Sequence, residues 1–390
     1  MLYILKALVF TLPLQEFYIP IGNTNHVEIY DFLSIILVIV FLYKEKIIAY
    51  KKDMFVLFIL SLWIMSGVFF AFNIFAVIAK VLKVTLNIFV YIAVYNICKK
   101  YHCWQELIDT LYISVFVESV FSISEYVFIN YIGEGMVFHS AQIVDNIARV
   151  DGTFNDANYL ALYMSCCLIC ITTDMFYNKF TIRKIMLLLL ILVVLMMSFS
   201  RSGLLAAIFG LFTTLHVYAL YKGKKMLICK IIVIGVIPII GCLIYFPDLL
   251  IRYITMFDLE RGDVYVRIVQ YLTAIEMIID NPIMGVGAGN YMNNIMHYNS
   301  FTGGTLIPHN SFLEIAAESG IVAVLFMILF FKMILCNIYR YRNKWIYVSM
   351  VGMVIGTIIS GLFYSNIYYQ MMMYLCIGMG QSYGEKCEEN

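Results

Sequence analysis

Charged residues are scarce in this sequence. Lys, Arg, Asp and Glu together make up 13% of the 390 residues, about half of the share in a typical soluble domain. The net charge is +1, and so few cations cannot form the dense basic face that a nucleic-acid partner requires. Hydrophobic residues make up 63% of the chain. This composition is typical of an integral membrane protein.

The sequence also lacks a P-loop and the motif set of the protein kinases. The glycine-rich run from Gly285 to Gly289 follows Asn281-Pro282 and a predicted helix, not a strand, and it lacks the G-x-G-x-x-G spacing. We therefore reject nucleotide binding. Any energy for a reaction must be stored in the substrate, and no cofactor is expected.

The ten cysteines do not indicate a disulfide framework, because none falls in a sizeable predicted outer loop. Cys166, Cys167 and Cys170 lie in one predicted span, where packing between helices is favoured over a metal site. Asp258 and Glu260 are favoured as solvated loop acids over a metal-binding pair. We therefore expect no metal.

Apolar runs of spanning length predict an all-α polytopic membrane protein with about twelve transmembrane helices. No internal repeat or Pro- or Ser-rich linker divides the chain, so residues 1–390 form a single predicted domain. The predicted segments lie near 2–17, 29–43, 54–73, 77–98, 106–131, 155–175, 184–200, 203–221, 227–246, 311–332, 345–363 and 365–381.

Basic residues alternate between loops and set the predicted orientation. One set of loops holds most of the lysines, including Lys51, Lys100, Lys184, Lys225 and Lys344. Because positive loops stay in the cytoplasm, both termini are expected there. The long loop 247–310 is then expected on the outer side.

Two pairs of charged residues within predicted spans bear on function. Glu118 and Glu125 share a helix face, as do Lys80 and Lys83 on the preceding span. Charges at membrane depth are usually paired or functional. We favour pairing between these two helices, with a polar path for a substrate as the alternative.

The middle of the long outer loop has the periodicity of a helix. Apolar residues recur at helical spacing over 264–280, and polar residues, Arg267 among them, interrupt them on one side. This pattern predicts an amphipathic helix at the outer membrane surface with Arg267 facing a site. After the loop, Ser311 and Glu314 fit a capping box that starts the next helix.

Arg149, Arg201, Arg267 and His309 lie on four different segments at the same predicted membrane face. Each has a plain structural interpretation when taken singly, such as a boundary arginine or a residue at a helix start. Together, guanidinium groups and the positive end of a helix suit a phosphate. A diphosphate at the level of the lipid headgroups is the expected ligand.

Four motifs in this region resemble those of the O-antigen ligase and polymerase family. The resemblance is strongest from about 149 to 331, and His309 and Gly320 also fit that family's H-x10-G pattern. The family's R-x10-G pattern is found at none of the arginines, which leaves polymerase and ligase open. The motifs are Gly152-Thr153-Phe154 with Asn158-Tyr159-Leu160-Ala161, Ser200-Arg201-Ser202-Gly203, Pro282 with Gly285-x-Gly287, and His309-Asn310 with Glu318-x-Gly320.

The resemblance implies a metal-independent membrane glycosyltransferase of the C type. Such proteins take a sugar chain on undecaprenyl diphosphate as donor, at the outer face of the bacterial inner membrane. The resemblance places diphosphate binding at Arg201 and Arg267, and the essential histidine at His309. Arg149, Asn158 and Asn310 are the expected substrate-binding residues.

We therefore expect a polymerase that joins lipid-linked repeat units of O-antigen, capsule or exopolysaccharide, with inversion at the anomeric carbon. A ligase that transfers polymer to lipid A core in lipopolysaccharide biosynthesis is the alternative. A transporter or flippase is a weaker one, because it would place its site near the membrane midplane. Membrane lipid and a chain-length regulator protein are the other candidate partners.

Overall fold

A computed structural model describes most of the chain and places it in helices. The described residues are 1–21, 25–45, 52–129, 142–144, 147–223, 262–298, 307–365 and 370–385. The predicted span 227–246 lies outside these residues, and so do the loop acids Asp258 and Glu260.

The described residues form thirteen α-helices, one 3₁₀ helix (Ser66–Phe69) and two short antiparallel hairpins. The hairpins pair β1 (Tyr18–Ile21) with β2 (Asn25–Glu28), and β3 (Gln142–Val144) with β4 (Ile147–Arg149). The helices are α1 (Leu2–Thr11), α2 (Ile29–Lys44), α3 (Lys52–Met65), α4 (Ile74–Tyr101), α5 (Trp104–Val127), α6 (Ala157–Tyr177), α7 (Ile182–Met197), α8 (Arg201–Lys222), α9 (Gly262–Asp280), α10 (Tyr291–Tyr298), α11 (Ser311–Leu335), α12 (Trp345–Gly361) and α13 (Met371–Glu385).

Six helical segments of the described chain are long and apolar enough to cross a membrane, so a polytopic helical membrane protein is confirmed. The helices α1 and α12 are apolar but shorter. Twelve crossings therefore stay a prediction. The six segments are Lys52–Phe69, Ile74–Tyr101, Trp104–Val127, Ala157–Tyr177, Arg201–Lys222 and Ser311–Leu335.

Every predicted segment within the described residues overlaps a helix, but some ends were wrong. The first was predicted to reach residue 17, whereas α1 ends at Thr11, two residues before Pro13. Proline has no N–H to continue a helix and disfavours helical geometry in the residue before it. The last was predicted to start at 365, whereas α13 starts at Met371.

The helix α6 lies at the centre of the bundle, and 89% of the residues in its most apolar stretch are buried. It packs closely on α8 through small residues, and α8 packs on α12 in the same way. A Cβ at Gly203 would lie 2.4 Å from the Cβ of Ala161, and one at Gly210 would lie 2.7 Å from the carbonyl oxygen of Gly352. Such contacts allow helix backbones to approach closely in a membrane. Cys166, Cys167 and Cys170 are buried in this packed region.

Candidate functional site

Arg149 joins the segment before α6 to the turn before α8. Its Nε donates to the carbonyl oxygen of Ser198 at 3.1 Å, and its Nη2 donates to Oδ1 of Asn158 at 3.3 Å. The same Oδ1 accepts from Oγ of Ser200 at 2.8 Å. Asn158 therefore holds Arg149 and the N-cap of α8 at one point.

Arg201 is the first residue of α8, directly after its N-cap Ser200. Oγ of Ser200 accepts from the amide of Gly203 at 3.2 Å, which starts the helix at this residue. Phe199 has φ 49°, so the chain reverses sharply between α7 and α8. This tight turn fixes the position of Arg201.

Arg149 and Arg201 lie close enough for their charges to interact. Burial lowers the pKa of the Arg149 guanidinium, and the positive charge of Arg201 lowers it further. The carboxylates of Asp156 and Asp151 oppose this shift. An arginine remains protonated under such shifts, so the pair forms a partly buried positive site.

His309 stands directly before the N-cap of α11 with φ 42°. A positive φ is uncommon for a non-glycine residue and often marks a functional position. Its Nδ1 is buried and accepts or donates no hydrogen bond among the described residues. The ring lies 6.0 Å from that of Tyr364, between centroids.

Arg267 of α9 and Asp156 of the α6 N-cap both act on His309. Burial lowers the pKa of His309 below its usual value of 6.5, and the positive charge of Arg267 lowers it further, whereas Asp156 raises it. These interactions bring α6, α9 and the start of α11 to one site. The lowered pKa favours the neutral imidazole at neutral pH.

The helix α9 confirms the predicted amphipathic helix, with bounds close to 264–280. Its exposed face is an apolar stripe of Ile268, Leu272, Ile275 and Ile279, exposed by 41 to 69%. Such a stripe suits a helix at a membrane surface. Arg267 precedes Ile268 by one residue, so it is turned from the stripe by about 100°. This places it on the flank that faces the protein.

The predicted capping box of α11 is wrong. Asn310, not Ser311, is the N-cap, and its Oδ1 accepts from the amides of Phe312 and Leu313 at 3.0 and 3.1 Å. Glu314 lies 3.2 Å from the ammonium of Lys80 instead of turning back to the cap. Both Asn310 and Ser311 are good N-cap residues, so the sequence did not decide between them. Part of the Asn310 side chain is thus engaged in starting α11.

The predicted pairing of Glu118 and Glu125 with Lys80 and Lys83 is also wrong. Glu118 accepts from the amide and the hydroxyl of Thr153 at 2.9 and 2.6 Å, and Glu125 accepts from the amide of Gly152 at 2.8 Å. These carboxylates hold the loop after Arg149. Charge spacing showed a shared helix face, but the partner depends on which helices pack together.

Sequence reasoning missed three residues of the site. Asp156 caps α6 through Oδ1, which accepts from the amide of Asn158 at 2.6 Å, and its charge acts on both Arg149 and His309. The rings of Tyr159 and Tyr364 pack edge to face at 4.8 Å. Tyr159 belongs to the Asn158 motif and Asp156 lies two residues before Asn158, a local signal that could have found both. Tyr364 follows the end of α12, far along the chain, and had none.

The arrangement can bind an anion. Three arginines and three helix N-termini, those of α6, α8 and α11, lie at this end of the bundle. Helix N-termini and guanidinium groups both favour phosphate. Within the described part of the chain, no group of three or more His, Cys, Asp or Glu side chains is arranged to hold a metal ion.

Comparison with known proteins bears on the same region. Residues 186–328 match the family model of the O-antigen ligase. The match includes Arg201, Arg267 and His309, whereas Arg149 and Asn158 precede it. No curated protein matches the chain. Residues 186–328 are therefore similar to the O-antigen ligase family, in agreement with the resemblance that the motifs predicted.

Proposed function

We propose that this protein is a polysaccharide polymerase that joins repeat units carried on undecaprenyl diphosphate. The observation that carries the proposal is the convergence of Arg149, Arg201 and Arg267 beside a neutral His309. Positive charge suits the diphosphate of the donor, and a neutral imidazole suits the hydroxyl of the acceptor.

In the proposed reaction, a hydroxyl at the non-reducing end of one unit attacks the anomeric carbon of a second chain. The new C–O bond forms as the bond to the lipid diphosphate breaks, with inversion at that carbon. The hydroxyl proton passes to His309 and from there to solvent. Arg201 and Arg267 stabilise the charge that grows on the departing diphosphate.

Arg149, Asn158 and Asn310 complete the proposed substrate site. Arg149 is held rigidly by two acceptors, Ser198 and Asn158, and a guanidinium held in place loses little entropy when an anion binds. The site requires no metal or cofactor in this proposal, since the donor already carries a good leaving group.

A ligase that transfers finished polymer to lipid A core is the second candidate. The family model that matches residues 186–328 is described as that of the O-antigen ligase, which favours it. The donor and the chemistry are the same, and only the acceptor differs. We keep polymerase first because the outer loops offer no large basic platform for a phosphorylated core acceptor.

A transporter is disfavoured by the position of the site. Transporters use broken helices with a site near the midplane, and α11 does contain a break at Gly320. Yet Ala157, Arg201 and Ser311 each begin a helix, and five of the six candidate residues lie within a few residues of these starts or of the segments that lead into them, the exception being Arg267 within α9. The site thus lies at the ends of the helices.

The proposal places this site on the outer side of the bacterial inner membrane, with both termini in the cytoplasm. It assigns the chain a C-type glycosyltransferase-like architecture, with the long outer loop 247–310 inside one domain of residues 1–390. A chain-length regulator is a proposed partner.

The acceptor decides between the two functions. The purified protein is given a labelled lipid-linked repeat unit, either alone or with lipid A core. A ladder of longer lipid-linked products without core supports the polymerase. Transfer to core without a ladder supports the ligase, and no transfer to either acceptor refutes both.

A further inference from the structure

A buried ion-pair network joins α4 to α11 near the site. Nζ of Lys80 lies 2.7 Å from Oε2 of Glu318 and 3.2 Å from Oε1 of Glu314. The two glutamate side chains are 3 and 4% exposed. They stand one turn apart on α11, so one lysine reaches both. Buried charges of this kind are costly to leave unpaired.

Glu318 also holds the loop between α9 and α10. The amide of Tyr291 donates to its Oε1 at 3.3 Å, and the backbone of Gly289 hydrogen bonds to the same carboxylate. The main chain adds to this contact, because the amide of Gly287 donates to the carbonyl of Glu318 at 2.8 Å. Glu318 thus joins α4, α11 and the loop 281–290.

The loop 281–290 packs against α11 at a break in that helix. Gly320 has φ 78° and ψ 169°, and a Cβ there would lie 1.7 Å from the carbonyl oxygen of Ile283. The amide of Ile321 donates to the carbonyl of Pro282 at 2.9 Å. Nε1 of Trp63 donates to the freed carbonyl of Ser319 at 2.9 Å. These bonds satisfy backbone groups that the break would otherwise leave without partners.

Arg267 and His309 are connected to this junction by different helices. Arg267 is in α9, which leads into the loop at Asn281, and His309 immediately precedes the first half of α11. A change in the contact between the loop and α11 would therefore be expected to alter the spacing between these two residues. Small misplacements of reacting groups cost large factors in rate.

We infer that Lys80 and Glu318 are positioning residues that set the spacing between Arg267 and His309 for glycosyl transfer. The inference rests on the proposed function. Neither residue needs to touch the substrate. Lys80 fixes the outer half of α11 on α4, and Glu318 fixes the loop on that half-helix.

The chain provides a matched control on the same helix. Nζ of Lys83 lies 2.5 Å from Oε2 of Glu28 and 2.6 Å from Oδ2 of Asp31. This network also has one lysine and two carboxylates, but it joins α4 to α2. Loss of Lys83 should therefore cost similar stability without loosening the loop.

The test combines hydrogen exchange with kinetics on the full-length protein in detergent or nanodiscs. The variants are Lys80→Met, Lys80→Arg, Glu318→Gln, Glu314→Gln and Lys83→Met. Exchange is followed in peptides covering residues 285–292, with a peptide of α6 as reference. Glu318→Gln keeps the size of the side chain, so it carries the test if Lys80→Met is not recovered from membranes.

We expect Lys80→Met and Glu318→Gln to speed exchange in 285–292 at least tenfold and to lower kcat at least tenfold, with a smaller change in KM for the donor. Lys80→Arg should restore much of kcat. Glu314→Gln should have a smaller effect, and Lys83→Met should change neither exchange nor kcat. A rate-specific loss is expected because positioning acts in the transition state.

Unchanged exchange in both Lys80→Met and Glu318→Gln would overturn the inference. So would faster exchange with a wild-type kcat, because the loop would then be held for another purpose. If the unmodified protein transferred no sugar, the proposed function would fail. The exchange rates would still show whether Lys80 and Glu318 hold the loop.

Discussion

Nη2 of Arg149 donates a hydrogen bond to Oδ1 of Asn158 at 3.3 Å, across two segments that meet only through folding. The same oxygen receives the hydroxyl of Ser200, the residue before Arg201. One amide thus positions two arginines. The segment around Asn158 and the segment around Arg201 are therefore parts of a single hydrogen-bonded structure.

Asn158→Asp provides a test of this contact. The new carboxylate still accepts from Arg149 and Ser200, but it adds a negative charge at the anion site and loses the bond from Nδ2 to Asp156, which is 2.8 Å long. Because this charge repels the diphosphate, we expect a folded protein whose KM for the donor rises about tenfold or more. A tenfold change corresponds to about 1.4 kcal/mol of binding free energy. A donor KM equal to that of the wild type would separate Asn158 from the diphosphate site.

Substitution of Arg201 or Arg267 is expected to lower the rate of glycosyl transfer while the protein level stays normal. Arg267→Lys keeps the charge but loses the planar fork that matches phosphate, and Arg201→Ala removes both. We expect each to lower kcat/KM by about 10²–10³, measured with lipid-linked donor. Arg342→Ala is the control, because this exposed arginine lies between α11 and α12 at the other end of the bundle. If both site variants still made full-length polymer, Arg201 and Arg267 would be residues of the membrane boundary and not of the diphosphate site.

If His309 is the general base, kcat/KM should depend on pH in a defined direction. Burial and the charge of Arg267 lower its pKa, so the neutral form that can accept a proton persists below pH 6.5. We expect kcat/KM to stay level down to this pH and to fall as pH decreases through the lowered pKa. His309→Ala and His309→Gln should both lose about 10²–10⁴ in rate and lose this acid limb. The exposed His297 provides the control variant His297→Ala.

An active Gln variant with the same acid limb as the wild type would contradict this role. Gln keeps hydrogen bonding but cannot take a proton near neutral pH, so recovery by Gln would make His309 a group that orients substrate. Folding is not expected to confuse the result, because Asn310 caps α11 without the imidazole.

Topology gives an independent prediction. A reporter fused after Lys225 should read as cytoplasmic, and one fused near Asn294 should read as external, because lysine-rich loops remain inside. The measurement is paired alkaline phosphatase and fluorescent-protein fusions. The opposite result at either position would put the diphosphate site on the wrong face of the membrane for a lipid-linked donor.

The sequence predicted the positions of the helices better than the contacts between them. Hydropathy located helices such as α6 and α8 to within about two residues, because burial in a membrane requires apolar runs of fixed length. The amphipathic helix that carries Arg267 followed from the spacing of apolar residues. This spacing depends on local sequence alone.

Long-range partners could not be predicted in this way. Lys80 and Lys83 were placed on one helix face, but they bind carboxylates of α11 and α2, not of α5. The spacing of residues in one helix gives the direction of a side chain and not its neighbour. Tyr364 approaches His309 from the end of α12 for the same reason, and no sequence signal indicates this.

The central claim is tested most directly by following both products of a single reaction. Purified protein is incubated with a lipid-linked repeat unit in the presence of a metal chelator, and polymer and free undecaprenyl diphosphate are quantified together. The account predicts one diphosphate released for each glycosidic bond formed, with undiminished rate in chelator and inversion at the anomeric carbon. Bond formation that stops in chelator, or polymer that forms without release of the lipid diphosphate, would contradict it.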